Sequence, residues 1–118
     1  MDIIYLHGLK VDCVIGVWEW ERRITQVITI DLDMGANIAQ AARSDDLNDT
    51  LSYKAVSKRV TAFVQESRFK LVETMAERVA AILLDEFDIP WCRVRINKKG
   101  AVRGARDVGV VVERGVAE

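Results

Sequence analysis

One histidine, two cysteines and one proline are all that the 118 residues hold of those types, and each scarcity closes off a class of chemistry. A structural zinc site needs four soft donors, and His7, Cys13 and Cys92 are too few to supply them. A Ser-His-Asp or Cys-His nucleophile would have to be built on His7. That residue stands in a strand-like segment just before Gly8 and reads as a partly exposed strand histidine. Charge of one sign is missing too: 17 Lys plus Arg meet 18 Asp plus Glu, a formal net charge of −1. A non-specific nucleic-acid binder carries a large basic excess instead, so no nucleic-acid partner is expected. The longest uncharged apolar stretch, Val79 to Leu84, is far too short to span a bilayer. Gly100, Gly104 and Gly109 do not form GxGxxG, and no GxxxxGK[ST] occurs. Neither a metal nor a nucleotide cofactor is expected. The start, Met1-Asp2-Ile3-Ile4-Tyr5, lacks the basic opening and apolar run of an export signal. Together with two distant cysteines, it points to reduced thiols in a cytoplasmic protein. What remains is acid–base chemistry by Glu, Asp, Lys and Tyr, or binding without chemistry.

At roughly 150 residues per domain, residues 1–118 make one domain. Half of the chain is apolar and 30% charged, an ordinary globular balance. From Leu9 the pattern alternates, with Leu9, Val11, Cys13 and Ile15 on one face; a second alternation carries Ile28, Ile30, Leu32 and Met34. Period two marks half-buried strands, here an antiparallel pair joined by the Trp18–Arg23 loop. Residues 44–50 form a polar turn rather than a calcium loop, lacking its glycine and closing glutamate. Ser52 is placed to cap a helix with Val56, Val60, Phe63 and Val64 on its apolar side. A second helix begins near Leu71, carries Val72, Met75, Ala76, Val79 and Leu83, and ends before Pro90. Cys92, Val94 and Ile96 alternate in a third strand, and residues 107–112 form a fourth. The order β-β-α-α-β-β specifies an α+β domain, an antiparallel sheet with two helices on one face. So small a sheet leaves edges, poorly defended by Val14, Val27 and Val111, so assembly of copies edge to edge is expected.

Several residues stand out from this pattern. Lys98 shares parity with Cys92, Val94 and Ile96, so its stem starts on the apolar face. Either it snorkels to water or it is a partly desolvated amine able to carry a proton. Glu73 lies in the first turn of the second helix, where the helix dipole favours a carboxylate. It also borders the apolar stripe, where the acid and the turn's free N–H groups make a donor-and-acceptor edge for a planar heterocycle. Tyr53 opens the first helix, either as core packing or as a phenol at a site mouth. Glu21 reads most simply as a solvated loop charge. Trp18, Trp20 and Trp91 read as core or interface anchors. Arg93, Arg95, Lys98, Lys99, Arg103 and Arg106 form a basic stretch that faces an anionic ligand or is simply one wet strand face.

Taken together, Ile15-Gly16-Val17 with Trp18-Glu19-Trp20-Glu21, Ser44-Asp45-Asp46, Leu51-Ser52-Tyr53, Arg68-Phe69, Leu71-Val72-Glu73, Ile96-Asn97-Lys98-Lys99-Gly100-Ala101 and Val108 to Arg114 resemble the dihydroneopterin aldolase family of folate biosynthesis. The resemblance spans nearly the whole chain and keeps the order of the motifs. It implies the tunnelling fold, in which subunits join their sheets into a barrel as rings of four, two rings stacking into an octamer, with active sites between subunits. It further implies that Glu73, aided by main chain at Val72, holds the pyrimidine edge of a pterin. On the same basis Lys98 moves protons, Tyr53 reaches the substrate from a neighbouring subunit, and Glu21 lies near the hydroxylated tail. Lys99 departs from the proline common in relatives.

The implied reaction is retro-aldol cleavage of 7,8-dihydroneopterin to glycolaldehyde and 6-hydroxymethyl-7,8-dihydropterin, with some epimerisation to 7,8-dihydromonapterin. The N5=C6 imine of the substrate serves as electron sink, so neither zinc nor a lysine Schiff base is required. The related dihydroneopterin-triphosphate epimerase, with the same Tyr, Glu and Lys, is the alternative, and a small anion- or RNA-binding module a more remote one.

Overall fold

A computed structural model describes residues 1–117. In chain order these form β1 (Asp2–Cys13), β2 (Gln26–Ala36), α1 (Ala39–Ser44), α2 (Tyr53–Glu66), α3 (Val72–Glu86), β3 (Trp91–Asn97) and β4 (Gly109–Gly115). Short 3-10 turns occupy Glu19–Arg23 and Leu47–Asp49. The strands lie in the order β1-β2-β3-β4, each antiparallel to its neighbour. The helix α2 packs on β1, and α3 on β3 and β4. Val11, Cys13, Ile28, Ile30, Leu32, Met34, Cys92, Val94 and Ile96 from the strands meet Val56, Val60, Val64, Met75, Ala76, Val79 and Leu83 from the helices in one buried core. The expected α+β order and both apolar helix stripes are therefore present. Among the described residues no helix is long and apolar enough to cross a membrane.

The first strand runs seven residues longer at its start than the alternation from Leu9 suggests. Leu6 pairs with Leu32 and Leu9 with Ile30, so three steps on β1 oppose two on β2. This bulge uses Gly8 at φ 75°, a conformation that costs glycine little. It moves the inward parity from Ile4 and Leu6 to Leu9, Val11 and Cys13, so no single alternation runs through the strand. The helix α1 was also hidden, because none of its residues is buried and it has no apolar stripe to reveal it. The edge strands are β1 and β4. Val27, expected at an edge, lies instead on the outer face of the central strand β2.

Ser52 caps α2 as expected, its hydroxyl accepting from the Ala55 N–H at 3.2 Å. Leu71 precedes α3 and gives it no side-chain cap, so the first N–H groups of α3 have no side-chain partner at its N-terminus. Cys13 and Cys92 are buried free thiols, and burial pushes each up to about 11, which makes them inert core residues. Of the two places expected for the tryptophans, the core is excluded: Trp18 and Trp20 are exposed and Trp91 only partly buried.

Candidate active site

Lys98 follows directly on β3, and Glu21 projects from the 3-10 turn that links β1 to β2. The Lys98 Nζ donates to Glu21 Oε2 at 2.6 Å, and the two side chains are 16% and 6% exposed. Glu21 is therefore not the solvated loop charge its sequence context suggests. It is the one buried charged side chain among the described residues, and such a group needs partners to satisfy its oxygens. Beyond Lys98, Gln26 Nε2 donates to the same Oε2 at 3.1 Å, and the Trp18 N–H donates to Oε1 at 3.3 Å. The last contact is half of a capping box, an acid in the first turn reaching back to the residue that opens it.

These donors decide the protonation of the acid. The hydrogen bond from Lys98 holds the Glu21 carboxyl below its ordinary value of 4.5; burial opposes this, and Gln26 and the Trp18 N–H add to it. The pair is thus an ammonium–carboxylate contact partly withdrawn from water. Gly16 closes over it. A Cβ at that position would lie 2.2 Å from Glu21 Cδ, and its φ of 131° favours glycine in any case. Gly16 of the Ile15-Gly16-Val17 segment thus has a steric reason to be glycine.

The pair floors a cavity of about 220 Å³ lined by Ile15, Gly16, Val17, Trp18, Glu21, Lys70, Leu71, Val72, Glu73 and Lys98. Two segments distant in sequence supply its walls: the chain leaving β1, and residues 70–73 entering α3. At the rim Glu73 is exposed and Val72 half-buried, beside the uncapped first turn of α3. A carboxylate next to free backbone N–H groups offers acceptor and donors along one edge.

Tyr53 does not join this cavity. It is 54% exposed, not packed in the core, and lines a separate groove with Leu6, Lys54, Ser57, Lys58, Thr61, Ala62 and Gln65. Glu21, Lys98, Val72 and Glu73 are thus brought together within one chain, and Tyr53 is not. The basic stretch also divides. Arg93 lies near Asp33 and Glu113, and Arg95 near Asp31, on the outer sheet face. Lys98 pairs with Glu21 and Arg106 with Asp107, so four of the six basic residues already face a carboxylate, which weakens the reading of an RNA surface. His7 is exposed and bonded to Asp33 at 2.7 Å, a strand histidine with a local partner.

Sequence reasoning missed Gln26 and Arg22. A signal existed for Gln26: it shares parity with Ile28, Ile30 and Leu32, so a polar side chain begins on the apolar face. The same oddity singled out Lys98.

Residues 4–113 match the family model for FolB, dihydroneopterin aldolase. The chain belongs to the dihydroneopterin aldolase family. A family member from Escherichia coli (strain K12) is 44% identical over 115 residues, covering 98% of this chain and 94% of its own. The crystal structure of E. coli dihydroneopterin aldolase in complex with neopterin superposes with a TM-score of 0.95 at 44% identity, over 98% of this chain and all of that one (100%). FolB from Vibrio cholerae superposes with a TM-score of 0.96 at 41% identity, over 98% of both chains. Membership in the dihydroneopterin aldolase family makes the chain an aldolase, an enzyme of the lyase class.

Proposed function

We propose that the chain cleaves 7,8-dihydroneopterin to glycolaldehyde and 6-hydroxymethyl-7,8-dihydropterin, using the Lys98–Glu21 pair as its proton relay. The observation that carries this reading is the 2.6 Å contact of that pair at the floor of a cavity rimmed by Glu73 and the start of α3. Glu73 accepts from the ring N3–H and 2-amino group, and main chain at Val72 adds to the same edge. Two directional bonds to a charged acceptor reject ligands that lack that edge.

Held there, the substrate presents its tail to Lys98 and Glu21. Lys98 passes a proton to the Glu21 carboxylate it touches at 2.6 Å, and the amine so freed takes the proton of the second tail hydroxyl through a water. The bond between the first and second tail carbons then breaks, its electrons passing into the N5=C6 imine. Glycolaldehyde departs, and the first tail carbon of the resulting enamine takes a proton back with help from the Tyr53 phenol. Because the ring itself accepts the electrons, the protein supplies position and proton transfer and no Schiff base. If glycolaldehyde turns over and adds back before leaving, the tail carbon is inverted, giving 7,8-dihydromonapterin.

Tyr53 takes part in this scheme from a second copy of the chain. Its separation from the Lys98 cavity supports that reading, as does a cavity smaller than the ~300–1,000 Å³ usual for ligand sites. The outer strands β1 and β4 offer unpaired edges through which rings of four, stacked in pairs, would form. We place residues 1–118 as one such unit, acting in the cytoplasm.

A second reading, epimerisation of dihydroneopterin triphosphate, draws on Lys99 and Arg103. Both are exposed, and neither has a carboxylate partner among the described residues. Product analysis after incubation with dihydroneopterin and its triphosphate separates the two. Glycolaldehyde from the unphosphorylated compound supports cleavage; an inverted triphosphate with no glycolaldehyde from either compound overturns it.

A further inference from the structure

The two walls of the cavity belong to segments with no sheet or helix pairing between them. One backbone hydrogen bond joins them, from the Gly16 N–H to the Phe69 carbonyl at 3.3 Å. Two guanidiniums supply the other hydrogen bonds between them, and Arg22 makes most of these. Arg22 Nη1 donates to the Gly16 carbonyl at 3.1 Å and to the Phe69 carbonyl at 3.1 Å, and Nη2 donates to the Arg68 carbonyl. Arg68 answers with a bond from its own Nη2 to the Arg22 carbonyl at 3.2 Å. No carboxylate lies within ion-pair distance of Arg22 among the described residues, whereas its neighbour Arg23 pairs with Glu19 at the surface. The charge of Arg22 is thus spent wholly on backbone acceptors of the two walls.

We propose that Arg22 is the positioning residue that sets the distance between the proton relay and the pterin-recognition edge. Its neighbour in the same 3-10 turn is Glu21, so one turn of chain holds the relay with one side chain and grips the opposite wall with the next. The gripped carbonyls on that wall belong to residues 68 and 69, four and three positions before Val72. Packing of α3 on β3 and β4 sets the helix as a whole; since its first turn has no side-chain cap, the strap adds the constraint that ties that turn to Gly16 and, through Glu21, to Lys98. A planar fork suits the task because it donates to several carbonyls in fixed directions; the point charge of a lysine does not. Displacement of about 1 Å between binding and reacting groups is enough to cost about 100-fold in rate.

The inference rests on the proposed pterin site, and its test is arranged so that the two fail separately. Wild-type protein is assayed for glycolaldehyde release from dihydroneopterin and for pterin binding; absence of both defeats the proposed function itself. Given an active wild type, Arg22→Gln should lower kcat for dihydroneopterin by up to about 100-fold and raise its KM, and Kd for the pterin product, by at least about tenfold. The pH dependence of kcat should keep its shape, because Glu21 and Lys98 still face each other. Arg22→Lys should recover part of the lost affinity, and Arg68→Ala, which removes only the answering bond, should lose less than Arg22→Gln. Should Arg22→Gln fail to fold, smaller KM and Kd shifts in the same direction, of more than twofold, in Arg22→Lys decide the matter. Variants that melt at lower temperature yet keep kcat, KM and Kd within twofold of wild type would show a merely structural arginine and overturn the proposal.

Discussion

Lys98 Nζ and Glu21 Oε2 meet at 2.6 Å although 77 positions separate them in sequence, and that meeting ties the end of β3 to the turn after β1. The contact gives Glu21 a folded-state value below its ordinary 4.5. A carboxyl with a depressed value stabilises the fold fully above its ordinary value, and that stabilisation is lost as pH falls through the lower folded value. Glu21→Gln, which leaves the Lys98 amine facing a neutral partner, should cost about 3 kcal/mol near pH 7. Urea unfolding of both proteins across an acid pH series checks this. The difference between them should stay constant above about pH 5.5 and shrink below 4.5. Glu86 and Asp107, whose values are also lowered, are present in both proteins and cancel. A difference that persists unchanged into acid would remove the pair as its source.

Gly16→Ala should disturb the same pair from the other side. The added Cβ would fall on the Glu21 carboxyl group at 2.2 to 2.4 Å, and three hydrogen bonds hold that group in place. We expect a loss of about 1–3 kcal/mol in stability and at least a tenfold fall in turnover, since Glu21 must leave its place beneath Lys98. Thermal melts and steady-state kinetics measure the two effects; unchanged turnover would mean that Glu21 need not sit where it does.

Glu73→Ala removes the charged acceptor at the cavity rim. Two charge-assisted bonds of about 1.5 kcal/mol or more each correspond to roughly 100-fold weaker pterin binding, with kcat reduced much less. Equilibrium titration with the pterin product gives the number directly. A variant that bound as well as wild type would place the recognition edge elsewhere.

The separation of Tyr53 from the Lys98 cavity makes a prediction about assembly. Tyr53→Ala and Lys98→Ala should each be nearly inactive alone. Mixed, dissociated and reassembled, they should regain measurable activity, because some sites then combine an intact tyrosine from one copy with an intact lysine from another. No recovery in hybrids shown to contain both chains would confine the whole site to one subunit.

How much of this was legible beforehand follows from where the signal lies in the chain. Period-two alternation showed Lys98 starting on the apolar face, and the same pattern gave the core residues of β2 and β3. The first half of β1 was hidden because the bulge at Gly8 shifts its parity, a local event that alternation counts cannot register. Glu21 was misread for a different reason. Its environment is made by Gln26, Trp18 and Lys98, and only the last is remote; no property of the stretch Trp18-Glu19-Trp20-Glu21 says that its second acid turns inward. Arg22 was invisible because its partners are backbone carbonyls, which every sequence has everywhere. Glu73 and Val72 were legible as the opening of a helix, but their placement opposite Gly16 depends on tertiary contacts: the packing of α3 on the sheet, the Gly16–Phe69 bond and the bonds of Arg22.

The role of Lys98 is tested most directly by comparing glycolaldehyde release from 7,8-dihydroneopterin by wild type and by Lys98→Ala, alongside the Kd of each for the pterin product. We expect a fall in kcat of about 100-fold or more with Kd changed by no more than a few-fold. Near-normal turnover by Lys98→Ala would contradict it.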